Sequence, residues 1–213
     1  MSIIQDKYNI RLDFESQHLN VPIDDRIFTH YRLDHKAFIA NYVAVAGGQL
    51  FDARKTIYRF DEGGFYLTVF FEQPRIGILF IPDKDTYTAE YLEKLRIYCE
   101  FKKIRLITVR LYAESDDEFT KMLDDNNLEI NISGREKLET LDTKLKSLMS
   151  SLIDVCFNRS VMLQKQELYG KLDTQLCYRL GILLSIRPKE PEKDVKTISR
   201  GKYIEGIGYV RRD

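Results

Sequence analysis

The stretch FYLTVFFEQPRIGILFIPDKDTYTAEYLEKLRIYCEFKK, from Phe65 to Lys103, shows strand-like patterns followed by a helical one. Residues 65–71 are all aromatic, β-branched or leucine, which is typical of a strand. Pro74 has no N–H group to donate to a neighbouring strand, so this strand should end before it and a second should occupy residues 76–81. Apolar residues at helical spacing then predict an amphipathic helix; they are Tyr87, Tyr91, Leu92, Leu95, Tyr98 and Cys99.

The residues before this stretch predict a helix and one more strand. Residues 35–46 carry apolar side chains at helical spacing, and Gly47-Gly48 is expected to end that helix. Residues 56–60 predict a strand, and the glycine-containing segment 61–64 predicts a tight turn. The three strands within residues 56–81 should therefore form an antiparallel meander.

The residues after the stretch predict a strand, a short helix and another strand. Residues 104–112 alternate and are rich in β-formers, so they predict a strand. Ser115 is expected to cap a helix over residues 115–123, with acidic residues in its first turn. Residues 128–132 predict a short strand, so residues 1–134 should form an α/β domain with a mixed sheet. The buried side of the short helix is expected to consist of Phe119, Met122 and Leu123.

The remaining residues, 135–213, predict a second and smaller domain. Leucines at helical spacing indicate one long helix over residues 136–157. Residues 176–186 predict one helical turn followed by a strand over residues 182–186. Short strands at residues 203–204 and 207–210 should close a small sheet. The expected fold class of the whole chain is therefore α+β.

The composition is that of a soluble globular protein with balanced charge. The 33 basic and 33 acidic residues give a net charge of zero, whereas a protein that binds nucleic acid alone usually carries a basic excess. The sequence predicts no membrane span and no signal peptide. The cysteines Cys99, Cys156 and Cys177 are odd in number and lack metal-ligand spacing, so we expect a reducing compartment without disulfides. We also expect no cofactor and no small-molecule ligand.

The order of the elements in the first domain suits a restriction-nuclease-like core. Active members of that class hold a metal with an acid on the second strand and an acid-x-Lys pattern on the third. The third strand here ends in Ile78-Leu79-Phe80-Ile81 and has neither group, while Glu100 and Lys102 fall at the end of a helix. Solvated charges beside core elements are the simpler interpretation. A metal-dependent nuclease that uses Asp83 and Glu100 is kept as an alternative.

Two groups of residues resemble one protein family. The segment VFFEQPRIG at residues 69–77, followed by LRIYC at residues 95–99, resembles part of the RNA polymerase subunit shared by eukaryotic polymerases I, II and III. The C-terminal domain of that protein exists in archaea as a small separate polymerase subunit. Its ending is similar to IRP at 186–188, GKYI at 201–204 and YVR at 209–211. The residues that carry the likeness to the jaw fold are Phe70, Phe71, Glu72, Pro74 and Gly77.

The resemblance implies a non-catalytic subunit of a multisubunit DNA-directed RNA polymerase. Residues 1–134 would be the lower jaw domain, with a nuclease-like fold without catalytic residues, close to downstream duplex DNA. Residues 135–213 would be a domain similar to the small archaeal subunit, which docks on the largest subunit, beside the other polymerase subunits. The chain would have no enzymatic activity of its own and no cofactor. The candidate interface residues are Ile186, Arg187, Pro188, Tyr203 and Tyr209.

The chain departs from the family in ways that bear on its origin and contacts. Residues 114–118 read ESDDE, where the family carries small neutral residues, so this loop should repel DNA phosphates. The Asp-Pro start of the family's C-terminal domain is replaced by Asp173-Thr174. This divergence favours a large nucleocytoplasmic DNA virus, with the protein in the virion and host cytoplasm, over a protist, where it would be nuclear. A free-standing pseudo-nuclease adaptor is a third alternative that the sequence does not separate from a polymerase subunit.

Overall fold

The computed structural model describes residues 34–132 and 136–186, together with the backbone of residues 201–204 and 208–211. The helices are α1 (His35–Leu50), α2 (Ala89–Phe101), α3 (Leu138–Cys156), α4 (Arg159–Lys171) and α5 (Thr174–Ser185). The strands are β1 (Thr56–Glu62), β2 (Phe65–Phe71), β3 (Ile76–Ile81), β4 (Arg105–Arg110), β5 (Lys121–Asp124), β6 (Asn127–Glu129), β7 (Gly201–Ile204) and β8 (Gly208–Arg211). The α+β fold class is confirmed.

Six strands form one mixed sheet in the order β1-β2-β3-β4-β6-β5. The antiparallel meander predicted for residues 56–81 is confirmed by β1, β2 and β3. Helix α2 connects β3 to β4, which is parallel to it, and β6 is parallel to β4. The edge strand β5 pairs antiparallel with β6. Strand β4 and helix α3 lie within the predicted bounds. Strand β6 overlaps the strand predicted over residues 128–132, but it begins one residue earlier and ends at Glu129.

The two faces of the sheet bury cores of different size. On the broad face, strand residues such as Phe71 and Ile107 pack against α1, α3 and α5. On the narrow face, residues such as Phe70 and Leu79 pack against α2. Neighbouring residues of a strand lie on opposite faces because side chains alternate along it. The broad-face strand residues are Val69, Phe71, Ile76, Ile78, Phe80, Ile107, Val109 and Leu128.

Helices α1 and α5 pack antiparallel on the broad face. The Nδ2 group of Asn41 donates to Oγ of Ser185 at 3.1 Å, and both side chains are buried. The helices approach so closely that a Cβ atom at Gly181 would lie 2.7 Å from Cε2 of Phe38. The helices after residue 135 therefore complete the same core as the sheet. The connection at residues 133–135 lies outside the described residues, and the division into domains 1–134 and 135–213 stays a prediction.

The predicted end of the first helix at Gly47-Gly48 is wrong, because α1 continues through both glycines to Leu50. Each glycine instead permits close packing. A Cβ atom at Gly47 would lie 2.6 Å from Cζ of Phe71, and one at Gly48 would lie 2.8 Å from Oγ1 of Thr56. The glycine pair is therefore the contact between α1 and the sheet rather than a C-terminal cap.

The predicted helix over residues 115–123 is also wrong, because residues 121–124 form the edge strand β5. Asp124 stabilises the turn that leads into β6, because its Oδ1 accepts a hydrogen bond from the N–H of Asn126 at 2.9 Å. Such local side-chain bonds compete with helix formation. The residues expected to be buried are exposed, by 72% for Phe119, 48% for Met122 and 39% for Leu123.

Two further differences lie in the last helices. Helix α5 runs unbroken to Ser185, so the strand predicted over residues 182–186 is wrong. A short apolar run fits either structure, and here contact with α1 selects the helix. Helix α4 has no counterpart in the sequence prediction, because none of its residues is fully buried and its apolar pattern is weak. Its N-terminus is capped by Asn158, whose Oδ1 accepts from the N–H of Val161 at 3.1 Å.

Both edges of the six-stranded sheet are irregular. In β1, Arg59 has a φ of 56°, and the register with β2 omits it between Tyr58 and Phe60. In β5, the register with β6 shifts between Met122 and Asp124. The β1–β2 register is the same on both sides of Arg59, whereas the β5–β6 register changes.

Candidate docking and nucleic-acid interfaces

The aromatic residues of the jaw motif are core residues on opposite faces of β2. Phe71 is fully buried on the broad face, where its ring meets that of Phe51 edge-on at 4.9 Å. Phe70 is 5% exposed on the narrow face, and its ring lies 4.8 Å from that of Phe60. Both contacts stabilise the fold through aromatic packing and apolar burial.

The turn between β2 and β3 fastens α2 to the sheet. Arg75 has a φ of 65° there, and its Nη2 donates to the carbonyl of Lys102 at 2.5 Å. The N–H of Arg105 donates to the carbonyl of Arg75 at 2.9 Å. A cation beside the last carbonyls of a helix is favourable because they carry the negative end of the helix dipole. The turn therefore joins the meander, α2 and β4 at one corner.

The other motif residues also serve this corner. The N–H of Glu72 donates to the carbonyl of Lys55 at 2.9 Å, and the peptide bond that precedes Pro74 is cis. A Cβ atom at Gly77 would lie 2.7 Å from Cδ1 of Leu67 and 3.2 Å from Cγ2 of Ile104. Any larger residue here would have to displace these two side chains, so the glycine permits their close packing on β3, and the motif is a packing and turn signature.

The carboxylates of the nuclease alternative lie at opposite ends of the β3–α2–β4 unit. Asp83 follows the last residue of β3, where its carboxylate lies 4.0 Å from Nζ of Lys36. Glu100 is in the last turn of α2 and pairs with Arg96. The rise from Ala89 to Glu100 along the helix is about 16 Å, whereas two ligands of one ion lie within a few ångströms of each other.

No group of three or more His, Cys, Asp or Glu side chains within the described residues is arranged to hold a metal ion. The six residues of β3 are all buried and are apolar or glycine. The described part of the chain therefore brings no metal-ligating set to the strand where the nuclease pattern would need one.

A shallow depression of about 680 Å³ lies where β3 and β4 end and the acidic loop begins. Three cationic side chains line it, and among the described residues none of them has a carboxylate within 4.0 Å; they are Lys84, Arg110 and Lys121. Tyr112, Glu114, Ser115 and Glu129 also line it. The loop itself bears four carboxylates within residues 114–118, so this end of the sheet combines a negative rim with a cationic depression.

The docking candidates are described only in part. Ile186 caps the C-terminus of α5, where its N–H donates to the carbonyl of Ile182 at 3.1 Å, and its side chain packs against the broad-face core. The strands predicted near the end of the chain are confirmed as β7 and β8, in which Tyr203 and Tyr209 are directly opposed. Arg187 and Pro188 lie outside the described residues.

Polar contacts that the sequence did not predict hold α4 to α1 and α3 to the segment that follows β6. The hydroxyls of Tyr42 and Tyr169 lie 3.0 Å apart, and burial raises the pKa of the Tyr42 phenol well above its usual range. Nζ of Lys144 is nearly buried and donates to the carbonyl of Asn131 at 2.6 Å and to Glu136 at 3.3 Å. Tyr42 and Tyr169 are 127 positions apart, and Lys144 is 13 positions from Asn131. No local pattern points to either contact.

Comparisons with protein-family models, with curated proteins and with solved structures find no match to this chain. Among the described helices, none is both long enough and apolar enough to cross a membrane.

Proposed function

We propose that this protein is a non-catalytic subunit of a multisubunit DNA-directed RNA polymerase that forms the lower jaw and docks on the largest subunit. The observation that carries the proposal is a pair of motifs in the family's order. The first is VFFEQPRIG at residues 69–77, and the second is IRP, GKYI and YVR between residues 186 and 211. Two separated matches in the right order are a stronger signal than either alone.

The position of the first motif supports the jaw assignment. Phe70 and Phe71 lie in the two cores, and Arg75 joins the meander to α2 and β4. The family's jaw is a nuclease-like fold without catalytic residues, and β3 here has no acid or lysine. The motif residues therefore stabilise the fold, which supports a structural role of this domain in a larger complex.

The hairpin β7–β8 is the proposed dock, together with Ile186, Arg187 and Pro188. Tyr203 and Tyr209 occupy one cross-strand pair, so both belong to the same position along the ribbon. Tyrosine is enriched at the buried centre of protein interfaces because it offers a large ring and a polar hydroxyl. The partner would be the largest polymerase subunit, in a viral enzyme found in the virion and host cytoplasm.

Downstream duplex DNA would lie near the jaw only within the assembled enzyme. The four carboxylates of residues 114–118 are exposed and would repel phosphates, and the chain has no net positive charge. The proposed role is therefore to build and stabilise the jaw rather than to grip DNA through this loop.

The primary test is a tagged purification of the full-length chain from native extract over a sizing column, followed by mass spectrometry. We expect the protein to elute with two very large polymerase subunits in equal amount. The sequences of those subunits would identify the enzyme as viral or nuclear. Elution of the 25.1 kDa chain alone would overturn the proposal and favour the free-standing adaptor.

The docking residues are tested in the same assay with the double variant Tyr203→Ala, Tyr209→Ala. We expect it to lose the large subunits, whereas Phe119→Ala, which removes an exposed aromatic ring elsewhere, should keep them. Full recovery of the large subunits with the double variant would show that the dock lies elsewhere. Truncation at Gly134 is a poor test, because it also removes the helices that complete the broad-face core.

A further inference from the structure

The loop that follows β4 holds one serine at its exposed tip. Ser115 lies between Glu114 and Asp116 and is exposed. Its Oγ donates to Oδ2 of Asp117 at 2.9 Å, while Oδ1 of Asp116 accepts from Nδ2 of Asn131 at 2.6 Å. These hydrogen bonds hold the loop in one conformation. Among the described residues, no helix or strand covers the serine, so an enzyme can reach it.

The same serine lines the depression that Lys84, Arg110 and Lys121 share. Three cations and only two carboxylates, Glu114 and Glu129, line this space. Glu129 is the cross-strand neighbour of both Arg110 and Lys121, so the two carboxylates offset part of the cationic charge. The lining keeps one net positive charge, which favours an anion. A volume of about 680 Å³ accommodates a phosphoryl group on the serine with water around it.

The residues after Ser115 favour one class of modifying enzyme. Positions +1, +2 and +3 are Asp116, Asp117 and Glu118. A protein kinase with a basic substrate groove binds such a segment through charge complementarity, whereas one with an acidic groove is repelled. The acidic side chains therefore bind the kinase, and the cations of the depression bind the phosphate after it has been transferred to Ser115.

We propose that Ser115 is a phosphorylation site for an acidophilic Ser/Thr kinase, and that the phosphate is held by Lys84, Arg110 and Lys121. The Ser115 oxygen attacks the γ-phosphorus of ATP. The bond from that phosphorus to the β–γ bridging oxygen breaks, ADP leaves, and the hydroxyl proton passes to the kinase's base. The inference goes beyond the polymerase role and stands without it, since it depends only on the loop and the depression.

Phosphorylation would change this end of the sheet in two ways. The group adds a charge of about −1.5 to −2 and three strong acceptor oxygens. Charge-assisted bonds to the lysines and the arginine would restrain the loop relative to the ends of β3 and β5. The charge of the depression would change from positive to negative, which strengthens repulsion of any polyanion near the jaw.

The first test is treatment of the purified full-length protein with an acidophilic casein kinase and ATP, followed by intact mass and fragment analysis. We expect one phosphoryl group, on Ser115, and none in Ser115→Ala. A basophilic kinase should leave Ser115 unmodified; Ser160, which follows Arg159 and is exposed, is its matched site. Phosphorylation of a free peptide of residues 111–120 but not of the folded protein would overturn the proposal.

The second test asks whether the depression holds the phosphate. The second pKa of phosphoserine, about 6 when free, is measured by phosphorus NMR in the folded protein and in the phosphorylated peptide 111–120. The peptide carries the same four loop carboxylates but lacks the three cations and Glu129, so the comparison reports the combined effect of the folded lining. Nearby cations favour the dianion, so we expect a lower pKa in the folded protein.

The variants Lys84→Gln and Lys121→Gln should each raise that phosphate pKa towards the peptide value. Lys94→Gln, which removes a lysine paired with Glu90 on α2, should leave it unchanged. Equal pKa values in the peptide and the folded protein would show that the cations do not hold the phosphate and would overturn that half of the proposal.

Discussion

The broad and narrow faces of the sheet are assembled from different parts of the chain. The narrow face is covered by α2, which comes between β3 and β4 in the sequence and connects these two parallel strands. The broad face is covered by α1, α3 and α5, which come from both ends of the described chain. Asn41 and Ser185 bond across 144 positions there. The narrow face therefore follows from local connectivity, and the broad face depends on contacts between distant residues.

Residues on both sides of the segment 133–135 contribute to the broad-face core. The segment at residues 133–135 looks like a linker, because its Ser-Gly pair interrupts the apolar pattern. The helix that follows nevertheless buries residues such as Leu145, Leu148 and Leu152 in the same core as Phe71. A sheet with one uncovered apolar face has to bury it against another element, and here residues 136–186 supply that element.

Removing the broad-face helices should have the largest effect. A chain of residues 1–134 leaves Tyr42, Val69 and Phe71 without α3 and α5, so we expect no cooperative unfolding transition in urea, followed by circular dichroism. Deleting only residues 187–213 keeps both cores and should preserve a cooperative transition with a steep denaturant dependence. A steep transition in residues 1–134 would show that the jaw folds without the later helices.

A single methyl group at the α1–α5 crossing should have an intermediate effect. In Gly181→Ala the new Cβ atom meets the buried ring of Phe38 at 2.7 Å. Overpacking of this kind costs about 1–3 kcal/mol, which exceeds the gain of about 1 kcal/mol from helix propensity. We expect a net loss of about 1 kcal/mol in the free energy of unfolding, measured by urea denaturation.

The matched control is Gly170→Ala in α4, where a Cβ atom meets nothing within 4 Å. Only the propensity gain applies there, so this variant should be more stable by up to about 1 kcal/mol. If both variants changed stability by the same amount in the same direction, close packing of α1 on α5 would not be the cause.

An ion pair beside the narrow face should have the smallest effect, visible only as a pH dependence. Nζ of Lys102 donates to Oε1 of Glu62 at 2.7 Å. That bond lowers the pKa of the Glu62 carboxyl below its ordinary value of 4.5. A carboxyl with a lowered folded-state pKa stabilises the protein above its unfolded-state pKa, and the contribution disappears as the pH falls through the folded-state value.

In Lys102→Met we therefore expect the Glu62 pKa to rise in a carbon-13 NMR titration. The stability difference from the parent chain should shrink as the pH falls from neutral to below 4.5. Lys94→Met removes a charge from the same helix without contacting Glu62 and should leave that pKa unchanged. A Glu62 pKa that is the same in all three proteins would mean that the ion pair does not form in solution.

The parts of the fold that the sequence predicts are those with strong local patterns. The meander, α2, β4, β6, α3 and the β7–β8 hairpin follow from runs of β-formers, from turn glycines and from leucine spacing. The errors occur where a distant contact determines the local structure. Gly47 has the chemistry of a cap, but it continues a helix because Phe71 needs the space above it. Ile182 fits a strand, but α1 holds it in a helix.

The candidate sites show the same division. The jaw motif is visible in the sequence, but the contact of Arg75 with Lys102 joins residues 27 positions apart and has no local pattern. The depression gathers Lys84, Arg110 and Lys121 from three separate segments, so the serine and its cations become one site only in the folded chain. The docking residues Arg187 and Pro188 lie outside the described residues and stay a prediction.

The irregular edges of the sheet affect how the protein behaves at high concentration. An open, regular edge strand is a template on which another chain can add and start aggregation. The positive φ of Arg59 interrupts the extended backbone of β1 at one edge, and a register shift interrupts the pairing of β5 at the other edge. Backbone pairing between copies is therefore disfavoured at both ends of the sheet.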